Sequence, residues 1–147
     1  MKLITNNSKE TINIGYKIGL LAKPNMIFCL SGDLGAGKTT LTKGIAKALN
    51  IKETITSPTF TIMKSYNGNM VLHHLDCYRL EGNKQDLGFE EYLEDDGLAV
   101  IEWSQYITSS IKEYLLINIE YINDDQRNIT ISAQGHSYSN LIKELDI

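Results

Sequence analysis

No stretch of this chain stays apolar long enough to cross a bilayer, and Met1-Lys2-Leu3-Ile4-Thr5-Asn6-Asn7 contains no apolar segment of signal length. The expectation is a cytoplasmic protein with no membrane partner. Cysteine is scarce. Cys29 and Cys77 are the two present, and they lack any metal-type spacing, so they read as reduced thiols outside any disulfide framework. Positive charge is also short: 14 Lys and Arg stand against 18 Asp and Glu, a formal net charge of −4. That balance argues against a free-standing polyanion binder whose whole surface attracts phosphate. Lys43, Lys47 and Lys52 could form a local basic patch, although solvated helix lysines are the plainer reading. No internal repeat or low-complexity tract occurs. With 147 residues there is no room for a second domain, so residues 1–147 are expected to share one core.

Against these absences stands one dense motif, Gly32-Asp33-Leu34-Gly35-Ala36-Gly37-Lys38-Thr39. A polyphosphate must be approached by bare backbone, so that successive N–H groups point at its oxygens. Gly32, Gly35 and Gly37 remove side chains and permit positive φ, Lys38 supplies a mobile charge, and the Thr39 hydroxyl suits Mg²⁺. The segment running through Asp33, Leu34, Gly35, Ala36, Gly37, Lys38, Thr39 and Thr40 is therefore the expected binding loop for a nucleoside triphosphate. Its flanks agree: residues 26–30 are a strand-length apolar run, and 39–49 carry Leu41, Ile45, Ala48 and Leu49 at helical spacing. A helix dipole would then face the anion, with Asn50 closing the helix.

The remaining punctuation gives the other elements. Ser8 is the expected N-cap of a helix over 8–22, ended by Pro24-Asn25. Residues 60–66 and 70–76 flank Asn67-Gly68-Asn69, a hairpin signal because Asn and Gly accept positive φ. A helix around 86–93 and the turn at Asp96-Gly97 lead to an apolar strand over 98–102. A hairpin over 115–122 and 128–134 follows, then a short helix over 137–145. This order predicts an α/β fold, a three-layer P-loop NTPase-like sandwich whose sheet is part parallel and part antiparallel.

Ligands in such sheets lie beyond the carboxyl ends of the strands, where Asp76 and Glu102 both fall. A triphosphate site needs a carboxylate near its Mg²⁺ and a group to orient the nucleophile. Both acids are candidates for both roles. His74 shares a strand face with Asp76, but a histidine hydrogen-bonded near the site explains the pair without a second metal. Ser57-Pro58-Thr59 reads either as a nucleotide-sensing switch or as an ordinary turn. Asn83-Lys84-Gln85-Asp86 imitates a guanine-reading motif but follows a loop instead of a buried strand, so it is rejected. Glu90, Glu91, Glu94, Asp95 and Asp96 read as a solvated helix face.

The phosphate loop through Thr40, Ser57-Pro58-Thr59-Phe60-Thr61, His74-Leu75-Asp76-Cys77-Tyr78-Arg79-Leu80 and Ile101-Glu102-Trp103 together resemble the bacterial TsaE (YjeE) family, over about residues 8–135. The resemblance implies Mg-ATP binding by the loop, Thr39 and Glu102 near the metal, Asp76 as the second acid, 57–59 as a switch, and Trp103 lining the site. Thr11 and Arg127 correspond to family adenine contacts. The family's ATPase serves the machinery that makes threonylcarbamoyladenosine in tRNA. It acts on two sugar-kinase-like partner proteins, one of them the threonylcarbamoyl transferase, so any tRNA contact is indirect. Two departures stand out: the stretch between Leu80 and Glu102 is slightly short, and Phe60 stands where Tyr is common.

Two other classes share the loop. A small-molecule kinase should carry an arginine-rich lid, for which this chain has only Arg79 and Arg127. A nucleotide-gated binding module, in which ATP merely orders 57–59, is compatible with every motif above.

Overall fold

A computed structural model of the chain describes residues 1–33, 35–56, 63–76, 96–102 and 111–146. Leu34, residues 57–59, the expected helix around 86–93 and Trp103 lie outside them. The elements are β1 (Lys2–Thr5), α1 (Ser8–Leu20), β2 (Ile27–Ser31), α2 (Lys38–Ala48), β3 (Met63–Tyr66), β4 (Leu72–Asp76), β5 (Leu98–Glu102), β6 (Tyr114–Tyr121), β7 (Arg127–Gln134) and α3 (His136–Glu144).

Seven strands form one mixed α/β sheet in the order β1-β7-β6-β2-β5-β4-β3. Its centre is parallel, β6 beside β2, β2 beside β5 and β5 beside β4. Its edges are antiparallel, with β7 and β1 on one side and β3 on the other. Strands β2 and β5 carry apolar runs without alternation over 27–30 and 98–101, as burial on both faces requires, and all five residues of β5 are buried. By contrast β6 alternates, Leu115, Ile117 and Ile119 being buried between half-buried or exposed neighbours, because only one of its faces is fully covered.

The larger core cluster lies on the face bearing Phe28, Leu30, Val100, Ile117 and Ile129, and receives Ile14 and Ile18 of α1, Leu41 and Ile45 of α2, and Tyr138 and Leu141 of α3. Cys29, Leu75, Ala99, Ile101 and Ile111 form a smaller cluster on the reverse face. Helices α1 and α2 touch at their backbones: a Cβ on Gly44 would come within 2.0 Å of the Ile12 carbonyl oxygen.

Of three local expectations, two need adjustment and one holds. Asn7, not Ser8, caps α1, its side-chain oxygen accepting from Glu10 N–H at 2.9 Å. Both residue types cap well, and the chain turns one position earlier. Asn50 does end α2 in the left-handed region, φ +58, with Ile51 N–H reaching Ala46 O and Asn50 N–H reaching Lys47 O, the paired bonds of a Schellman motif. The hairpin joining β3 to β4 forms, yet none of Asn67, Gly68 and Asn69 takes positive φ. Gly68 is needed for space, because a Cβ there would meet Leu49 O at 2.3 Å.

Candidate functional site

The parallel centre of the sheet aims the carboxyl ends of β2, β4 and β5 at one edge, and the glycine loop leaves β2 there. Gly32 combines φ +146 with packing so close that a Cβ would lie 2.4 Å from Ile119 O. Gly37, at φ +115, is the N-cap of α2 and has no side chain to satisfy the first helical N–H groups. Those donors are left for an anion at the positive end of the helix dipole. Ala36 N–H closes the turn onto Asp33 O at 3.0 Å.

Lys38 folds back over this loop, donating from Nζ to Gly32 O at 2.6 Å, and is 6% exposed. Burial lowers its pKa from the ordinary lysine value, an effect opposed by the nearby charges of Glu102, Asp76 and Asp33. Its ammonium is thus held against the loop's main chain, within reach of the field of all three acids. Thr39 and Thr40 are half-buried in the first turn of α2, and Asp33 and Gly35 are exposed on the loop.

The two expected acids meet. Asp76 and Glu102 are register partners on adjacent parallel strands, and Glu102 also pairs in register with Leu30, just before the loop. Glu102 is 3% exposed and Asp76 half-buried. A hydroxyl, two carboxylates and a phosphate are hard oxygen donors of the kind Mg²⁺ prefers, with few protein ligands and the rest from phosphate and water. Among the described residues no three His, Cys, Asp or Glu side chains cluster into an all-protein metal cage. Instead of joining Asp76 in a ligand set, His74 bonds Glu102, Nε2 to Oε2, at 2.6 Å.

Thr11 and Arg127 also come together, lining a cavity of about 50 Å³ with Ser8, Gly37, Thr40, Asp124 and Asp125. The Thr11 hydroxyl is already paired with Thr5 Oγ1 at 2.7 Å, and Arg127 donates to Ala36 O at 2.7 Å and Asn123 O at 2.6 Å. Arg127 thus braces the loop directly. Lys43, Lys47 and Lys52 are exposed on the rim of a separate cavity of about 490 Å³ past the far end of α2.

Sequence reasoning passed over the bond from Ser31 Oγ to Asn118 Oδ1 at 2.8 Å, which pins the loop's entry to β6. A polar residue at an alternating position of an apolar strand was the available signal. It also missed the Thr5–Thr11 bond, which no local pattern announces.

Known proteins resemble this chain over most of its length. The chain is 44% identical over 147 residues to the tRNA threonylcarbamoyladenosine biosynthesis protein TsaE of Bacillus subtilis, covering 99% of this chain and 93% of that protein. Its similarity to the protein of the same name from Treponema pallidum is 36% identity, covering 90% of this chain and all of that one. A crystal structure of Bacillus subtilis YdiB superposes with a TM-score of 0.83 at 41% identity, covering 99% of this chain and 93% of the other. No helix among the described residues is long and apolar enough to cross a membrane. With the family model described as threonylcarbamoyl adenosine biosynthesis protein TsaE matching residues 5–129, the chain belongs to the TsaE family.

Proposed function

We propose that this chain is a weak cytoplasmic ATPase of tRNA threonylcarbamoyladenosine biosynthesis, whose turnover rises when it docks on the threonylcarbamoyl transferase and its sugar-kinase-like paralogue. The pathway is the one its relatives are named for. The observation that carries the ATPase is a backbone nest opened by Gly32 and Gly37 at the start of α2, with the Lys38 ammonium beside it and two carboxylates across the crevice.

Main-chain N–H groups of 35–39 and the Lys38 ammonium would hold the β- and γ-phosphates and stabilise the charge that grows on them. Thr39, with Glu102 and Asp76, would hold Mg²⁺, which would supply neutralising charge to the phosphates. Water attacks phosphorus in line with the departing ADP, positioned by one of the two acids, and inorganic phosphate leaves. Thr11 and Arg127 are the proposed neighbours of the adenine, residues 57–59 the proposed switch, and Trp103 a proposed wall of the site.

Calorimetry with Mg-ATP on wild type and Lys38→Ala, and hydrolysis by Glu102→Ala, test this reading. Loss of binding in the first and of turnover in the second are expected. Unchanged values in both would overturn it. Multi-turnover tRNA modification reconstituted with the partner proteins, with ATP against a nonhydrolysable analogue, tests the cellular role.

A further inference from the structure

We propose that His74 is the positioning residue for Glu102 and holds that carboxylate as a preorganised acid of the site. This rests on the ATPase reading above. His74 pairs in register with Val100 on β5, and Glu102 is the next residue on the same strand face, so the imidazole leans toward the carboxyl edge to reach it. Both side chains are buried, at 0% and 4% exposure, and Nε2 lies 2.6 Å from Oε2.

The other ring nitrogen decides the direction of that bond. His74 Nδ1 is buried and has no hydrogen-bond partner among the described residues. An orphaned lone pair is better tolerated there than an orphaned N–H, so the proton belongs on Nε2 and His74 donates to Glu102. The same face around it is apolar, since Leu72 on β4 and Leu98 and Val100 on β5 are fully buried there. The imidazole's hydrogen bond to Glu102 is the polar contact it makes among the described residues.

Glu102 gains a fixed rotamer but only partial satisfaction. An ionised carboxylate offers about four acceptor sites, and a single neutral donor leaves most of them to be filled. A buried carboxylate in that condition is held ready for a cation or a polarised water, with no rearrangement needed when it arrives.

The tests use the full chain. Long-range ¹H–¹⁵N spectra of the free protein should show His74 as the Nε2–H tautomer; a proton on Nδ1 with Nε2 bare overturns the assignment. His74→Gln keeps an N–H at about the reach of Nε2, whereas His74→Asn and His74→Leu do not. Leu and Asn are expected to lower kcat roughly 10- to 100-fold and to remove the Mg²⁺-dependent gain in affinity for a fluorescent ATP, with binding in EDTA unchanged. Gln should restore most of both. Should Leu fail to fold, the Gln and Asn pair carries the comparison. Wild-type kcat and Mg²⁺ dependence in Asn or Leu, or a Gln variant as impaired as Asn at equal melting temperature, would overturn the proposal. Failure of the ATPase reading itself looks different: wild type would bind no ATP in EDTA or Mg²⁺, whatever the tautomer.

Discussion

Arg127 Nε donates to the carbonyl of Ala36 at 2.7 Å, so a residue near the end of the chain holds the glycine loop from 91 positions away. The same guanidinium bonds Asn123 O and Gln126 O and lies 4.9 Å from the Tyr121 ring centroid. One planar cation thus fastens the loop to the β6–β7 hairpin.

From this tie, Arg127→Met should speed amide exchange at 35–37 and weaken Mg-ATP binding by about tenfold or more, an energy of about 1.4 kcal/mol. Arg127→Lys should recover little, since a single ammonium cannot match a planar fork spread over three carbonyls. Exchange spectra and calorimetry measure both effects, and unaltered exchange at 35–37 would refute the tie.

Removing Glu102 should cost stability as well as turnover. Glu102→Ala leaves His74 buried with neither nitrogen paired among the described residues, a loss of about 1–3 kcal/mol. Glu102→Gln keeps a side-chain oxygen as acceptor and should lose less. Urea midpoints at equal m-value read the difference, and an Ala variant as stable as wild type would contradict it.

Gly44→Ala sets helix propensity against space. Alanine favours helix by about 1 kcal/mol over glycine. Its methyl, however, would stand 2.0 Å from Ile12 O and 2.8 Å from Tyr16 N, backbone atoms that cannot swing aside. Overpacking of about 1–3 kcal/mol or more wins, so the melting temperature should fall. A rise would show that α1 and α2 separate freely.

Tyr138 ties stability to alkaline pH. Its phenol is buried, accepts from Ile27 N–H at 2.8 Å, and has its pKa raised above 10.0, chiefly by that burial. Below about pH 10 both folded and unfolded chains keep the proton and this group adds no slope. Above it the unfolded chain releases the proton first, so stability falls as pH rises. Tyr138→Phe should lose about 1 kcal/mol at pH 7, through the missing hydrogen bond, and decline less steeply above pH 10. Parallel slopes for the two proteins would rule Tyr138 out.

Much of this architecture was legible in residue order because its signals are local. The glycine loop, the apolar runs of β2 and β5, the alternation of β6 and the positive-φ asparagine after α2 each express a constraint acting within a few residues. The convergence of the loop with Asp76 and Glu102 was legible too, since parallel strands present their carboxyl ends together. The role of Gly68 was misread, because its requirement comes from Leu49 on another element. His74 was placed near the site but not assigned to Glu102, since a diagonal contact between strands depends on register.

Residue types and their spacing sufficed to define the glycine loop, its helix, the acids at the ends of β4 and β5, and the family, because backbone sterics and strand patterning act over short distances. Which acid is buried, which nitrogen of His74 meets it, and how Arg127 reaches Ala36 were decided only when the strands took their order and register. Those contacts join residues 28 and 91 positions apart, and their geometry exists only after the chain between them has folded.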